Sequence, residues 1–164
     1  MKFYLIDRIE QIEVGKRIVA SKALSLAEEY LADHFPSFPV LPGVMMLEAM
    51  TQAAGWLLHQ RRGFACSMAV LREARNVKYG RFVAPGSFLR IEVELMKLTE
   101  TGGTFKASGT VEGAGALSAR LELAYFNLAE KQPELAEIDR RVQAQNRRHW
   151  ALIAAKVAAV TQLT

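Results

Sequence analysis

The sequence predicts an α+β fold in which a long central helix is wrapped by a curved antiparallel β-sheet, with an extra helix at the C-terminal end. Three observations carry this. From Val44 to Leu58 nearly every side chain is Met, Leu, Ala, Val or Trp, a pattern apolar all round that marks a helix buried on every side. After Gly63 come four strand-like runs separated by Pro85-Gly86, Gly102-Gly103 and Gly113 to Gly115, the residues of hairpins and crossovers. Beyond Leu128 the apolar spacing becomes helical again. A buried helix and half-buried strands each need an apolar face to pack on, and helix against sheet supplies it.

Residues 4 to 14, YLIDRIEQIEV, mix apolar and charged side chains in a way that fits a short helical start followed by a strand. Gly15-Lys16 reads as a turn, and RIVASKALS as the antiparallel partner. LAEEYL is a short helical turn. Pro36, Pro39 and Pro42 then impose a loop, because proline's fixed φ and missing N–H exclude a helix interior or a central strand. The apolar helix should stop near Arg61, Arg62 and Gly63, since basic residues and a glycine are usual C-terminal signals. The strand runs are ACSMAVLREARNVKY, SFLRIEVELMKLTE, TFKASGTVEG and ALSARLELAYFNL. In the second, Ile91, Val93 and Leu95 alternate with Arg90, Glu92 and Glu94, the period of two of a half-buried strand.

Pro133 suits the first turn of a final helix. There Leu135, Ile138, Val142, Ile153, Val157 and Val160 fall on one face, Arg140, Arg141, Arg147 and Arg148 lie elsewhere, and a break is expected near Trp150. This helix either docks on its own domain or a second subunit, or offers a basic surface to a partner protein. The chain thus divides into a domain over residues 1–129 and an appended amphipathic helix over 130–164.

Bulk properties narrow the function. With 164 residues, 51% of them hydrophobic and 23% charged, the chain has the make-up of an ordinary soluble domain with a good core. Its N-terminus has acids within the apolar run and lacks a signal-peptide cleavage site, and no uncharged apolar stretch is long enough to span a membrane. Cys66 is the only cysteine, which excludes an internal disulfide and points to a reducing compartment, the cytoplasm. A net charge of +4 favours an acidic partner without identifying one. Nucleic acid is not expected, because basic and aromatic residues are not interleaved and no helix-turn-helix or zinc-finger spacing occurs. Metal binding is not expected either, in the absence of a Cys pair, HExxH or a carboxylate cluster. Phosphate-loop spacing and GxSxG are also missing.

The chemistry concentrates in residues 33–56, DHFPSFPVLPGVMMLEAMTQAAGW. Gly43 follows Pro42 at the start of the apolar helix, so its N–H lies among the unsatisfied donors of a helix N-terminus. With the helix dipole behind it, such an N–H can stabilise negative charge developing on a carbonyl oxygen. The alternative is a plain turn before a helix. Glu48 is the one charge in the apolar run, and burial there would raise its pKa and keep it protonated, able to act as a general acid. Alternatively it is a structural carboxyl satisfied by Gln52, four residues on and on the same face. His34 can accept a proton near neutral pH, and the prolines around it should hold it near the helix start. Asp33 either orients the His34 ring or turns the loop, and the turn is the reading favoured here. His59, at the helix end, and His149, in a basic run, read as solvated. A base, a buried acid and an oxyanion donor are the parts needed to abstract a proton α to a carbonyl and expel a β-hydroxyl.

The segment HFPSFPVLPGVMMLEAMTQAAG also resembles the active-site segment of the FabZ-type β-hydroxyacyl-(acyl carrier protein) dehydratases, HFPxxPVxPGVxxxEAxAQ. VKYGRFVAPGSFLRIEVEL resembles that family's next landmark and LIDRIEQIEVGKRIVASKALS its N-terminal hairpin, so the likeness spans residues 4 to 128. The resemblance implies a hot-dog fold, with assembly as dimers or trimers of dimers in which the histidine of one subunit faces the glutamate of the other. It implies that His34 removes the α-proton of a (3R)-3-hydroxyacyl thioester and that Glu48 of the partner protonates the departing hydroxyl. The Gly43 N–H would bind the thioester oxygen, with Val44 and Met45 bordering an acyl tunnel. No cofactor is implied, the substrate being carried on the phosphopantetheine of acyl carrier protein. Arg75, Lys78 and Arg81 would dock that acidic carrier. Asp33 departs from the pattern, which usually has glycine before the histidine, and the helix beyond residue 130 has no counterpart in short family members. A thioesterase or coenzyme A-linked hydratase of the same fold, and a non-catalytic acyl-binding subunit, are the rival readings.

Overall fold

The computed structural model describes residues 3–157. Its strands are β1 (Arg8–Glu13), β2 (Arg17–Ala23), β3 (Met68–Tyr79), β4 (Phe88–Thr99), β5 (Gly102–Val111) and β6 (Ala114–Phe126), and its α-helices are α1 (Gly43–Arg61) and α2 (Ala136–Ile153). The strands form one sheet in the order β1-β2-β4-β5-β6-β3, every pairing antiparallel. The chain leaves β2, second from one edge of the sheet, runs through the proline loop and α1, and returns as β3 at the opposite edge. α1 therefore lies across the sheet and touches β2 through β6.

The alternation in β4 works as expected as far as Val93. Leu89, Ile91 and Val93 are buried against α1, while Arg90 and Glu94 face out. A register shift between Leu95 and Lys97 then ends the alternation, leaving Met96 and Leu98 exposed. Across the register, Val93 opposes Ala107 and Ala107 opposes Ala119. These small residues leave room for the buried side of α1, where Ala49, Met50, Ala53, Ala54 and Leu57 are fully enclosed. Burying each large apolar side chain contributes about 1.5–3 kcal/mol, so this face of α1 dominates its docking.

Two sequence expectations need correction here. Residues 3–7 are not helical. They run extended, with the Asp7 N–H donating to Ser21 O at 2.9 Å and the Leu5 N–H to Gln52 Oε1 at 3.0 Å, because Leu5 and Ile6 can both be buried only if this segment lies on α1. Nor is α1 covered on every side. Val44 is 69% exposed, Glu48 is exposed, and Gln52 and Trp56 are half-buried, a stripe at four-residue spacing that the sheet does not reach.

The final helix also differs. After short 3-10 turns at Leu128–Glu130 and Pro133–Leu135, α2 runs past Trp150 to Ile153 and is interrupted at Ala154 before helical residues resume at 155–157, so the expected break falls four residues beyond Trp150. Its inner side carries only part of the expected apolar row, with Ile153 buried and Val157 packed on the core. Ile138 is exposed, and the residues facing the domain are Asp139, Gln143, Asn146, Trp150 and Ile153, spaced as one helical face. Val160 lies outside the described residues. The Asp139 carboxylate, 4% exposed, accepts from the Ser67 hydroxyl and from the N–H groups of Leu128 and Ala129 at 3.0 and 2.9 Å. Burial opposes its charge, but those hydrogen bonds outweigh it and hold the carboxyl below its ordinary pKa. No helix among the described residues is long and apolar enough to cross a membrane.

Candidate active site

The proline loop holds His34 by two backbone carbonyls. Its N–H donates to Tyr30 O at 3.2 Å, and its ring Nδ1 lies 3.1 Å from Val40 O. A carbonyl can only accept, so Nδ1 carries the ring proton and the lone pair is left on Nε2. That is the tautomer a general base requires. Phe35 sits at φ 58°, an uncommon conformation for a non-glycine residue, where the chain reverses between Tyr30 and Val40. Asp33 is exposed in the turn, and no described residue hydrogen-bonds to its carboxylate. It turns the chain and does not orient the ring.

An anchor that the sequence did not disclose lies just ahead of this loop. The Lys22 ammonium, almost wholly buried, meets Glu28 at 2.7 Å and Asp7 at 3.4 Å. It ties the segment leading to Tyr30 onto β2. Nothing in the alternation of RIVASKALS marks Lys22 as buried, since a lysine at that position reads as an outward-facing residue.

Gly43 opens α1 and Val44 follows it, and a helix supplies no acceptor for N–H groups in its first turn. The Tyr79 ring covers Gly43 so closely that a Cβ there would lie 2.7 Å from its Cε1. A side chain there would displace the ring or the helix start, and the Gly43 N–H lies at the positive end of the helix. Further along, Gln52 makes three hydrogen bonds. Its Oε1 accepts from the Leu5 N–H, and its Nε2 donates to Phe3 O and to Glu48 Oε1, each at 3.0 Å. The structure brings Glu48 and Gln52 together as the sequence suggested, but on an exposed stripe, not in the core. The missing burial follows from α1 having sheet on one side only. Among the described residues Glu48 has no ion pair, and no hydrogen bond or ring contact joins it to His34.

The three basic candidates are exposed around β3. Arg75 is paired with Glu73 at 2.7 Å and Arg81 approaches Glu112 at 4.0 Å, whereas Lys78 has no ion pair among the described residues. A register shift between Arg75 and Lys78, with Asn76 at φ 52°, changes the strand's path between them.

The other two histidines are not solvated. His59 is 6% exposed; Asn146 donates to its Nε2 at 3.5 Å, and its Nδ1 donates to the Tyr125 hydroxyl at 3.1 Å. Burial lowers its pKa to about 4, so it is neutral at physiological pH. His149 is half-buried, stacked on Tyr4 at 4.2 Å and on Trp56 at 5.5 Å, and burial lowers its pKa as well. Sequence position suggested solvent for both because their cover comes from distant parts of the chain, Tyr125 and Asn146 for His59 and Tyr4 and Trp56 for His149.

Comparison with known proteins agrees with this architecture. Residues 1–120 match the FabA-like domain family. A curated 3-hydroxyacyl-[acyl-carrier-protein] dehydratase FabZ of Pelotomaculum thermopropionicum is 41% identical over 123 residues, which is 75% of this chain and 86% of that protein. The FabZ of Clostridium acetobutylicum is 35% identical over 117 residues, 71% of this chain and 83% of the relative. Among solved structures, the dehydratase heterocomplex ApeI:P of Xenorhabdus doucetiae superposes with a TM-score of 0.66 at 22% identity, over 81% of this chain and 90% of that one. A hypothetical thioesterase from Streptococcus pneumoniae superposes at 0.56 with 13% identity, over 72% and 84%, a likeness of fold alone. The chain is a hot-dog protein and belongs to the FabA-like family, on its FabZ-type dehydratase side.

Proposed function

We propose that this protein eliminates water from (3R)-3-hydroxyacyl thioesters of acyl carrier protein to give trans-2-enoyl thioesters, in fatty-acid or related lipid biosynthesis. The observation that carries the reading is the pairing of roles at the two ends of the proline loop. His34 has its base nitrogen freed by the bond to Val40 O, and Glu48 is presented outward by Gln52 without an ionic partner.

In this reading Nε2 of His34 removes the proton at C2, and the electron pair moves towards the thioester carbonyl. The Gly43 N–H, aided by the helix dipole, stabilises the oxygen as it gains charge. Glu48 acts as the general acid and passes a proton to the C3 hydroxyl, which leaves as water while the C2–C3 double bond forms. Return of the proton from His34 to Glu48 through solvent completes the cycle.

The site is shared between two chains. β3 is a twelve-residue edge strand with half-buried apolar residues at Met68 to Leu71. Such an edge needs covering, and a second copy pairing there would bring its own α1 alongside the exposed stripe of Val44, Glu48 and Gln52. His34 of one subunit would then face Glu48 of the other. Lys78, which has no ion pair among the described residues, is the strongest candidate for meeting the acidic carrier protein, with Arg75 and Arg81 in support. The chemistry calls for no cofactor beyond the carrier's phosphopantetheine, and Cys66 is a free thiol, which suits the cytoplasm.

The test is direct. Purified protein incubated with a 3-hydroxyacyl thioester of acyl carrier protein should yield the enoyl thioester, seen by absorbance or mass. Release of free acid without enoyl formation would support a thioesterase instead.

A further inference from the structure

An open cleft of about 190 Å³ runs along α1 beside Glu48. Its floor includes Gly55 and Ala69, its rim includes Tyr4, and its far end carries Trp56 of α1 and Asn146 of α2. Gly55 keeps the floor clear, since a Cβ there would come within 3.3 Å of the Ala69 Cβ. Contacts from α2 brace the residues at that end. His149 and Trp150 pack on the Trp56 indole at 5.5 and 5.8 Å between ring centroids. Asn146 is held by Ser67 O at 3.2 Å, and Gln145 donates to the Tyr4 hydroxyl at 3.2 Å. Beneath α2, Asp139 is locked by three hydrogen bonds, so the wall is fixed to the domain.

We infer that α2 sets the acyl-chain length of the substrate: Trp56, backed by His149 and Trp150, together with Asn146 forms the end wall of the path that the chain follows beyond C3, and restricts the enzyme to short-chain thioesters. The inference rests on the dehydratase reading, because Glu48 must act at C3 for the remaining chain to enter here. The volume has room for on the order of six groups the size of a water molecule or methylene. A short acyl tail fits within it, whereas a long one meets the indole and the α2 backbone. Each methylene without a place forfeits about 1–3 kcal/mol of transition-state binding, or 10–200-fold in kcat/KM, so a few excess methylenes suffice for strong discrimination.

The experiment compares 3-hydroxybutanoyl and 3-hydroxytetradecanoyl thioesters of acyl carrier protein with the full chain, its Trp56→Ala variant and its Asn146→Ala variant. The wild-type protein should favour the short substrate by tenfold or more in kcat/KM, on the order set by the methylene scale. Trp56→Ala should shift the long-to-short ratio at least about tenfold towards the long chain. Asn146→Ala, which trims the α2 wall without altering α1, should move the ratio in the same direction and serves if the tryptophan variant does not fold. Equal turnover of both substrates by the wild type, or a ratio unmoved in the folded variants, overturns the inference and leaves the dehydratase reading standing. Absence of enoyl product from both thioesters overturns that reading, and the inference with it.

Discussion

The side-chain amide of Gln52 donates to the Glu48 carboxylate at 3.0 Å while holding the backbone of Phe3 and Leu5 on its other bonds. One residue therefore both orients the proposed acid and fastens the N-terminal segment to α1. Gln52→Ala should lower kcat about tenfold, the equivalent of roughly 1.4 kcal/mol at the transition state. It should also cost about 1–3 kcal/mol of stability, because the Leu5 N–H loses its acceptor. Steady-state kinetics and denaturant titration on one preparation read both effects. Unchanged kcat in a destabilised protein would reduce Gln52 to a structural clip.

His34→Ala and Glu48→Gln should each cut kcat by about 10²–10⁴, the usual contribution of a positioned acid or base. Mixing the two inactive proteins under conditions of subunit exchange should restore activity. If each site takes one residue from each chain, half the dimers are mixed and half of their sites are intact, so recovery approaches about a quarter of wild type. Failure to recover activity, with exchange demonstrated by tagged subunits, would place the dyad within one chain.

Gly43→Ala probes the oxyanion donor through its packing. The added Cβ would meet the Tyr79 ring at 2.7 Å, and either the ring or the helix start must move. We expect kcat to fall on the order of 10²-fold, as when an oxyanion donor is lost. Pairing it with Tyr79→Ala, which makes room for the methyl group, should recover part of that loss. No recovery in the double variant would argue that the helix N-terminus itself had been displaced.

Acid sensitivity should report the docking of α2. The buried His59 has its pKa lowered to about 4, while in the unfolded chain it titrates near 6.5. As pH falls below about 6.5 the unfolded chain takes up a proton that the folded chain does not. Stability from this group is therefore full above about pH 6.5 and declines as pH falls towards about 4, by on the order of 3 kcal/mol in total. His149, also lowered, acts in the same direction. Urea titrations at neutral pH and near pH 4.5 should show the decline, and His59→Gln, which titrates in neither state, should flatten it. An equal acid response in that variant would assign the effect to other groups.

Much of this architecture is legible in the sequence. The prolines at 36, 39 and 42 and the glycines at 63, 86 and 113 stand where the backbone must turn, and these are local constraints carried by single residues. The alternation in β4 and the apolar run of α1 are periodic signals summed over many positions, so they survive individual exceptions. The constellation of His34, Gly43, Glu48 and Gln52 could be named for the same reason, as it lies in one continuous stretch.

Burial of polar groups was decided elsewhere. The apolar run alone is enough to require that α1 pack its buried face on the strands, because removing that much apolar surface from water is the dominant favourable term and depends only on pattern. Only the tertiary structure decided that Glu48 faces outward while His59, Lys22 and Asp139 face inward. A polar side chain can be buried wherever a distant residue completes its hydrogen bonds: Tyr125 and Asn146 for His59, Glu28 and Asp7 for Lys22, Ser67 for Asp139. Those partners lie far away in sequence in most cases and leave no periodic trace, so only folding brings them within reach.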